Sequence, residues 1–339
     1  MKNQFLTIST ILLIFMTFAA CKKVTVKETK VENPTDPTNL ISAVSDVSRA
    51  TLRGYLENVA GADGKVYDVK DNAGHNMDCL KIIPNPTGGF IGVSHAAYNG
   101  VLKVNLATST DLLNWTWVRE LAGSSGPAHQ PTILATSNGG FVVAWEQEPN
   151  NHVKLSYFSS WINLRNGVTD KTYDAPQTLS TCAEGTPNLY SASSTSVDVG
   201  FHYYSNCNVD RQARATCNWT SWTATAQPNF DNAILYWGVQ GNIGDRDGYL
   251  NFGGYNFGLI EGQGLKNDFG TWKSYLYDYQ TGNADQLNIQ TNGGSGSFAN
   301  PTFTKVTIDG QNAIVASVFI PSENSAPGEP GQLIYYKKY

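Results

Sequence analysis

Ionisable side chains recur at one phase of this 339-residue sequence. They stand at the start of five β-rich segments and at the end of the apolar run that follows. The starts contribute His75, Asn76 and Asp78; His129 and Gln130; Glu184 and Asn188; Asp245, Arg246 and Asp247; and Asn300. The ends contribute His95, Glu146, His202 and Glu261. Of the five histidines, only His152 lies outside this set. Carboxyl and imidazole groups are the usual carriers of protons in acid–base chemistry. Burying them is costly unless they are paired or solvated. Any single one is readily explained as a loop cap, but a repeated placement around one axis points to a ligand.

The elements that carry these residues repeat. First strands begin at GHNMDCLKII (74), AHQPTILA (128), AEGTPNLYSA (183), GDRDGYLNF (244) and ANPTFTKVTI (299). Return strands follow as GFIGVSHA, GFVVAWEQ, VDVGFHYY, FGLIEGQ and AIVASVFIP, and third strands as LKVNLATS, VKLSYFSS, RQARATCN, KSYLYDY and LIYYKKY. WTWVREL, APQTL, WTATAQ and DQLNIQ supply fourth strands for the first four copies. Short strands at this period predict an all-β, five-bladed β-propeller, with a β-sandwich as the alternative. The chain ends before a fourth strand of blade five, so TLRGYLENV (51–59) is expected to close the ring. Innermost strands line the channel, and the polar starts and return-strand ends then share one face.

The N-terminus sets the compartment. Lys2 precedes an apolar run from Phe5 to Ala20, which ends in Phe18-Ala19-Ala20-Cys21. This resembles a bacterial lipobox, implying a signal peptide over 1–20 and lipid on Cys21. Acyl chains would then be the only membrane attachment, in the cell envelope and by preference on the outer membrane. Residues 21–48 read as a flexible tether and 49–339 as the propeller. The net charge of −5 and the lack of a basic block exclude a nucleic-acid partner. A monomer is expected. Cys182 precedes the first strand of blade three and Cys207 follows its second, so these two are expected to form a disulfide. Cys79 and Cys217 are expected to be buried thiols. No ligand spacing indicates a metal, and no cofactor is expected; a channel-bound Ca²⁺ has no motif behind it.

Two segments carry a family resemblance. STDLLNWTWVREL (109–121) is similar to the S-x-D-L-x-x-W segment of five-bladed glycosidase propellers, and AEGTPNLYSASSTSVDVGFHYY (183–204) resembles the block opening blade three of glycoside hydrolase family 43. The resemblance implies an inverting enzyme on a polysaccharide or oligosaccharide. Asp78 would be general base and Glu184 general acid, the two carboxyls about 6.5–9.5 Å apart across the channel. The family's second-blade Asp is absent, His129 and Gln130 standing there, and Glu146 is the nearest replacement for its charge. Arg246 matches a substrate-contacting Arg of blade four. His75, Asn76, His95, Asn188, His202, Asp245, Asp247, Glu261 and Asn300 complete the expected binding surface. Trp145, Tyr98, Tyr203 and Phe257 are available either for stacking on sugars or for blade cores. The missing Asp keeps a non-catalytic glycan-binding protein open as an alternative. The histidines keep open a propeller lyase.

Overall fold

The computed structural model describes residues 40–244 and 246–339, so Cys21 and Asp245 lie outside the described residues. Five four-stranded antiparallel sheets form the five blades of a propeller. Blade 1 comprises β2 (Asp78–Pro84), β3 (Phe90–Tyr98), β4 (Val101–Ser109) and β5 (Thr116–Ala122), counting the closing strand described below as β1. Blade 2 comprises β6 (Ala128–Ala135), β7 (Phe141–Gln147), β8 (His152–Phe158) and β9 (Lys171–Asp174). Blade 3 comprises β10 (Glu184–Ala192), β11 (Val197–Ser205), β12 (Val209–Cys217) and β13 (Trp222–Ala226). Blade 4 comprises β14 (Arg246–Phe252), β15 (Tyr255–Gln263), β16 (Trp272–Asp278) and β17 (Asn283–Gln286). Blade 5 takes β18 (Ala299–Ile308), β19 (Gln311–Ile320) and β20 (Gly331–Lys338), and closes on β1 (Gly64–Val66).

Turn chemistry fixes the registers. Asn99-Gly100 and Asp309-Gly310 join neighbouring strands with both residues at positive φ, as tight right-twisting hairpins require. The S-x-D-L-x-x-W segment makes the corner between β4 and β5. Ser109 Oγ accepts the Leu112 amide at 2.9 Å, and Asp111 Oδ1 accepts those of Leu113 and Asn114 at 2.9 and 2.8 Å. Leu112 and Trp115 are thereby buried, and the indole N–H donates to Leu112 O at 3.0 Å. The motif's role here is to fold a corner.

The closing strand is not the expected one. Residues 51–57 are helical, part of α1 (Leu40–Glu57), and β1 pairs with β20 in the register Gly64↔Tyr336 to Val66↔Ile334. Leu52 and Leu56 stand four residues apart and are both buried, which is helical spacing. With Val59 they pack against Leu250, Phe257, Leu276, Phe303 and Tyr335 between blades 4 and 5. Burial of each leucine contributes about 1.5–3 kcal/mol. Ser45 Oγ donates to Asp278 Oδ2 at 3.0 Å, and Tyr335 Oη donates to Leu56 O at 2.7 Å. Residues 40–48, expected in the tether, are therefore part of this helix. Among the described residues no helix is long and apolar enough to cross a membrane.

In blade 2 the fourth strand is β9, not APQTL (175–179). Pro176 has no N–H to give a ladder, and the amides of Thr178 and Leu179 go to Glu184 instead. Two short helices, α2 (Trp161–Asn166) and α3 (Pro228–Leu235), follow β8 and β13.

A buried ion pair joins three blades on the channel side. Lys81 Nζ of β2 pairs with Asp247 Oδ2 of β14 and donates to Phe303 O of β18 at 2.9 Å, while Phe303 N donates to Asp247 at 2.9 Å. Removing one partner of such a pair leaves an uncompensated charge, whereas removing both does not. We expect Lys81→Met to lower the unfolding free energy by about 3–5 kcal/mol. Lys81→Met/Asp247→Leu should recover most of it in urea denaturation at pH 7; an equal loss in the double variant would show that the pair is not the source.

Candidate active site at the channel mouth

Four of the five innermost strands, those of blades 1, 2, 3 and 5, enter the channel through a residue in the left-handed region: Cys79 (φ 54), Gln130 (φ 52), Thr186 (φ 48) and Asn300 (φ 46). Each lies in an irregularity of the pairing with the second strand, so its N–H is free of the blade's own ladder. The neighbouring blade supplies the acceptor. Gln130 N donates to His95 Nδ1 at 3.1 Å, Thr186 N to Glu146 Oε2 at 3.0 Å, and Asn300 N to Glu261 Oε2 at 2.6 Å. Cys79 N donates to Gln332 Oε1 at 2.9 Å. His202 ends the blade 3 return strand at the equivalent place, opposite Gly185 in register. The polar residues that end the return strands are thus clasps between blades.

The clasps fix charge states as well as geometry. Because His95 Nδ1 accepts a hydrogen bond, its proton sits on Nε2. Burial, with the His129 ring beside it, pushes His95 down to about 3 and keeps it neutral, against the pull of Glu146. Glu146 is buried, which opposes ionisation, yet His129, His202, Asn151 and the Thr186 amide outweigh that and hold its carboxylate below the ordinary range. His129 lies between two carboxylates, 3.9 Å from Glu146 and 3.3 Å from Glu148. His202 stands 3.7 Å from Asp210, and its Nδ1 is buried without a partner among the described residues.

Asp78 is different. It is half-buried at the first position of β2, opposite His95 in register, and among the described residues its carboxylate has no hydrogen-bond partner. Burial chiefly, and then Asp68, push it up to about 6, with Lys70 opposing. His75 nearby is held by Asp71 at 2.9 Å, its ring 4.6 Å from that of Tyr98. Asn76 is exposed. These residues, with Gln130, Glu148 and Tyr203, are the accessible polar groups of the mouth.

Several expected ligand contacts are placed elsewhere. Glu184 is 2% exposed, and its Oε1 accepts the amides of Thr178, Leu179 and Ser180, the last at 2.9 Å. Oε1 is thereby a structural acceptor that ties the 178–180 loop to β10, and no hydrogen bond engages Oε2 among the described residues. The Cys182–Cys207 disulfide forms as expected, with Cα atoms 5.7 Å apart, and staples this loop beside β11. Cys79 and Cys217 are buried thiols, as expected. Arg246 is 2% exposed and stitches blades 3 and 4 through Asn188 Oδ1 at 2.9 Å and Ala213 O. Its guanidinium lies 5.0 Å from the Phe230 ring and 5.2 Å from that of Tyr190. Arg246, Asn188 and Asp247 bridge neighbouring blades, while Arg246 Nη1 and Asn188 Nδ2 are buried without a hydrogen-bond partner among the described residues. Glu261 and Asn300 are spent in a clasp, with Asn300 Nδ2 also on Cys79 Sγ at 2.7 Å. Trp145 and Phe257 are blade core.

Sequence reasoning missed Lys81 and Glu148. A lone lysine inside the apolar run LKII is the one signal for the first; the second had none. A cavity of about 350 Å³ is lined by the Lys81–Asp247 pair together with Ile83, Thr132, Tyr190 and Tyr249, among others. Among the described residues no group of three or more His, Cys, Asp or Glu is placed to hold a metal ion.

Comparison with solved structures fits this architecture. The chain superposes on an α-L-arabinofuranosidase from Podospora anserina in complex with cellotriose, at 12% identity and TM-score 0.51, covering 81% of this chain and 95% of that one. The catalytic domain of a GH62 α-L-arabinofuranosidase from Coprinopsis cinerea gives 9%, 0.51, 81% and 95%. An exo-β-1,3-galactanase from Clostridium thermocellum gives 10%, 0.52, 81% and 63%. The fold is the five-bladed propeller of these glycosidases. No protein-family model matches the sequence, and no curated protein matches it. What this chain shares with those enzymes at such identities is its architecture.

The raised Asp78 has a consequence for stability. Its carboxyl holds a proton more tightly folded than unfolded, so folding is penalised as pH rises from about 4 through about 6, and fully above that. We expect Asp78→Asn to raise the melting temperature at pH 7–8 and the gain to vanish below about pH 4. A gain independent of pH would contradict this electrostatic origin.

Proposed function

We propose that the channel mouth binds a polysaccharide or oligosaccharide and hydrolyses a glycosidic bond, with Asp78 as the acid–base carboxyl. The observation that carries this reading is Asp78 itself: a half-buried carboxyl without a hydrogen-bond partner, raised to about 6, at the mouth of a glycosidase-type propeller. Such a group is mostly ionised at neutral pH and basic enough to take a proton from water attacking an anomeric carbon, while the leaving oxygen takes its proton from solvent water. Neutral His95, with its proton on Nε2, supplies a hydrogen-bond donor suited to a sugar hydroxyl. Glu146 supplies fixed negative charge in blade 2, where the family's Asp is missing. The lipobox-like segment ending in Cys21 supports placing this activity in the cell envelope, on a lipid anchor.

A second reading, a glycan-binding protein without turnover, is favoured by one observation: Glu184 is 2% exposed and its Oε1 is committed to three amides of its own loop.

Sugar release from arabinan, xylan and β-1,3-galactan separates the two. Under the hydrolytic reading at least one substrate is cleaved by the wild type, and Asp78→Asn lowers the rate at least about 10²-fold without loss of folding. Glu184→Gln should cost less than tenfold while lowering the melting temperature. A collapse of rate in Glu184→Gln at unchanged stability would return that residue to the acid role, and binding without release in the wild type would establish the second reading.

A further inference from the structure

The cavity of about 350 Å³ beside the Lys81–Asp247 pair is built from all five innermost strands. β2 gives Ile83, β6 Thr132, β10 Tyr190, β14 Tyr249 and β18 Thr304. These strands start at the mouth, and Ile83 lies five residues along β2 from Asp78, or roughly 15 Å. The cavity is therefore axial and set toward the face of the ring opposite the mouth.

Its wall holds buried polar groups with bonding capacity left over. Asp247 is 3% exposed; its Oδ2 takes Lys81 Nζ and the Phe303 amide, and among the described residues its Oδ1 has no hydrogen-bond partner. Lys81 Nζ gives two of its three hydrogens, to Asp247 and to Phe303 O. Thr132 is 5% exposed, and its hydroxyl has no partner among the described residues. Buried groups of these kinds ordinarily have their partners inside the protein. Here an acceptor, a donor and a hydroxyl line one cavity.

An aromatic wall on a strained backbone stands beside them. In blades 1, 2 and 3 the first pairing irregularity of the innermost strand begins opposite His95, Glu146 and His202. In blade 4 the irregularity among the described residues begins opposite Leu259, two residues before Glu261, and so falls at the cavity. Tyr249 lies within it at φ 31, a left-handed conformation that is costly for a bulky residue. Its ring is 4.7 Å from that of Tyr190, and its Oη accepts Arg214 Nη1 at 3.3 Å. Gly248 is what lets Tyr190 pack there, since a Cβ would lie 2.4 Å from Tyr190 Cε1.

This set matches one sugar ring, whose C–H face packs on tyrosine while vicinal hydroxyls meet the carboxylate oxygen and the ammonium. Lys81 and Asp247 cancel each other's charge, so a charged guest would lose hydration without gaining a counter-charge. Lys305, the other charge of the lining, is exposed to solvent. We propose that the axial cavity binds a single neutral monosaccharide, separately from the chemistry of the mouth. The assignment does not require that the mouth cleave anything.

Isothermal titration of the full chain with L-arabinose, D-xylose and D-galactose tests it. At least one is expected to bind, and about tenfold or more weakly to Thr132→Val, which removes a hydroxyl at similar volume, and to Tyr249→Ala. Asp78→Asn should bind as the wild type does. No binding of any of the three sugars, or binding that survives both cavity variants, would overturn the proposal. Binding lost in Asp78→Asn would overturn it by placing the sugar at the mouth. Indole binding in place of the sugars, or D-galacturonate binding more tightly than D-galactose, would contradict the assigned chemistry. Should either cavity variant fail to fold in a thermal melt, wild-type crystals soaked in the sugar that binds decide by density inside or outside the cavity. Polysaccharide cleavage by Thr132→Val at the wild-type rate reads the mouth separately.

Discussion

In four of the five blades the peptide N–H of one left-handed residue must be satisfied inside the channel wall, and the ring is built on how that is done. Cys79, Gln130, Thr186 and Asn300 sit where a side chain-bearing residue is strained by about 1–2 kcal/mol, and their amides are turned away from their own sheets. The preceding blade meets each amide with His95, Glu146, Glu261 or, around blade 5, Gln332. A hydrogen bond to a carboxylate, as at Glu146 and Glu261, contributes about 1.5–3 kcal/mol and one to a neutral acceptor, as at His95 and Gln332, about 0.5–1.5 kcal/mol, of the same order as the strain. Blade order, strand entry angle and the ring of polar groups at the mouth follow from one repeated contact.

That contact also separates structure from chemistry at the mouth. Most ionisable groups there have their valences filled by protein: Glu146 by Thr186, Asn151 and histidines, Glu184 by three amides, Asp247 by Lys81 and Phe303. Asp78, at the head of β2, has no such partner among the described residues. Its carboxyl carries the cost of burial uncompensated, which is how active sites keep a proton acceptor near neutral pH.

The fold was legible in the sequence because its period is long and its return strands are apolar throughout, as in FVVAW and AIVASVFI. Propeller blades bury both faces against their neighbours, so these runs read as strands without alternation. TLRGYLENV misled because a short apolar run fits either element; Leu52 and Leu56 four residues apart carried the helical reading. APQTL misled because its amides were destined for a side chain, Glu184, that no local pattern connects to it. The polar repeat was visible, but its meaning was not: a carboxylate at a strand end looks the same whether it meets a sugar or a neighbour's amide. Register between blades decides, and register between blades is not written in any one segment. Arg246 and Lys81 show the same limit from the other side, since their partners are 58 and 166 residues away in the chain.

The carboxyl pKa of Asp78, read by carbon NMR in the intact protein, tests the account most directly. A value near 6 is what its half-buried, unpartnered setting requires. A value near 4, the ordinary one for a solvated aspartate, would mean that water or an internal partner already satisfies it, and the site would lose its acid–base group.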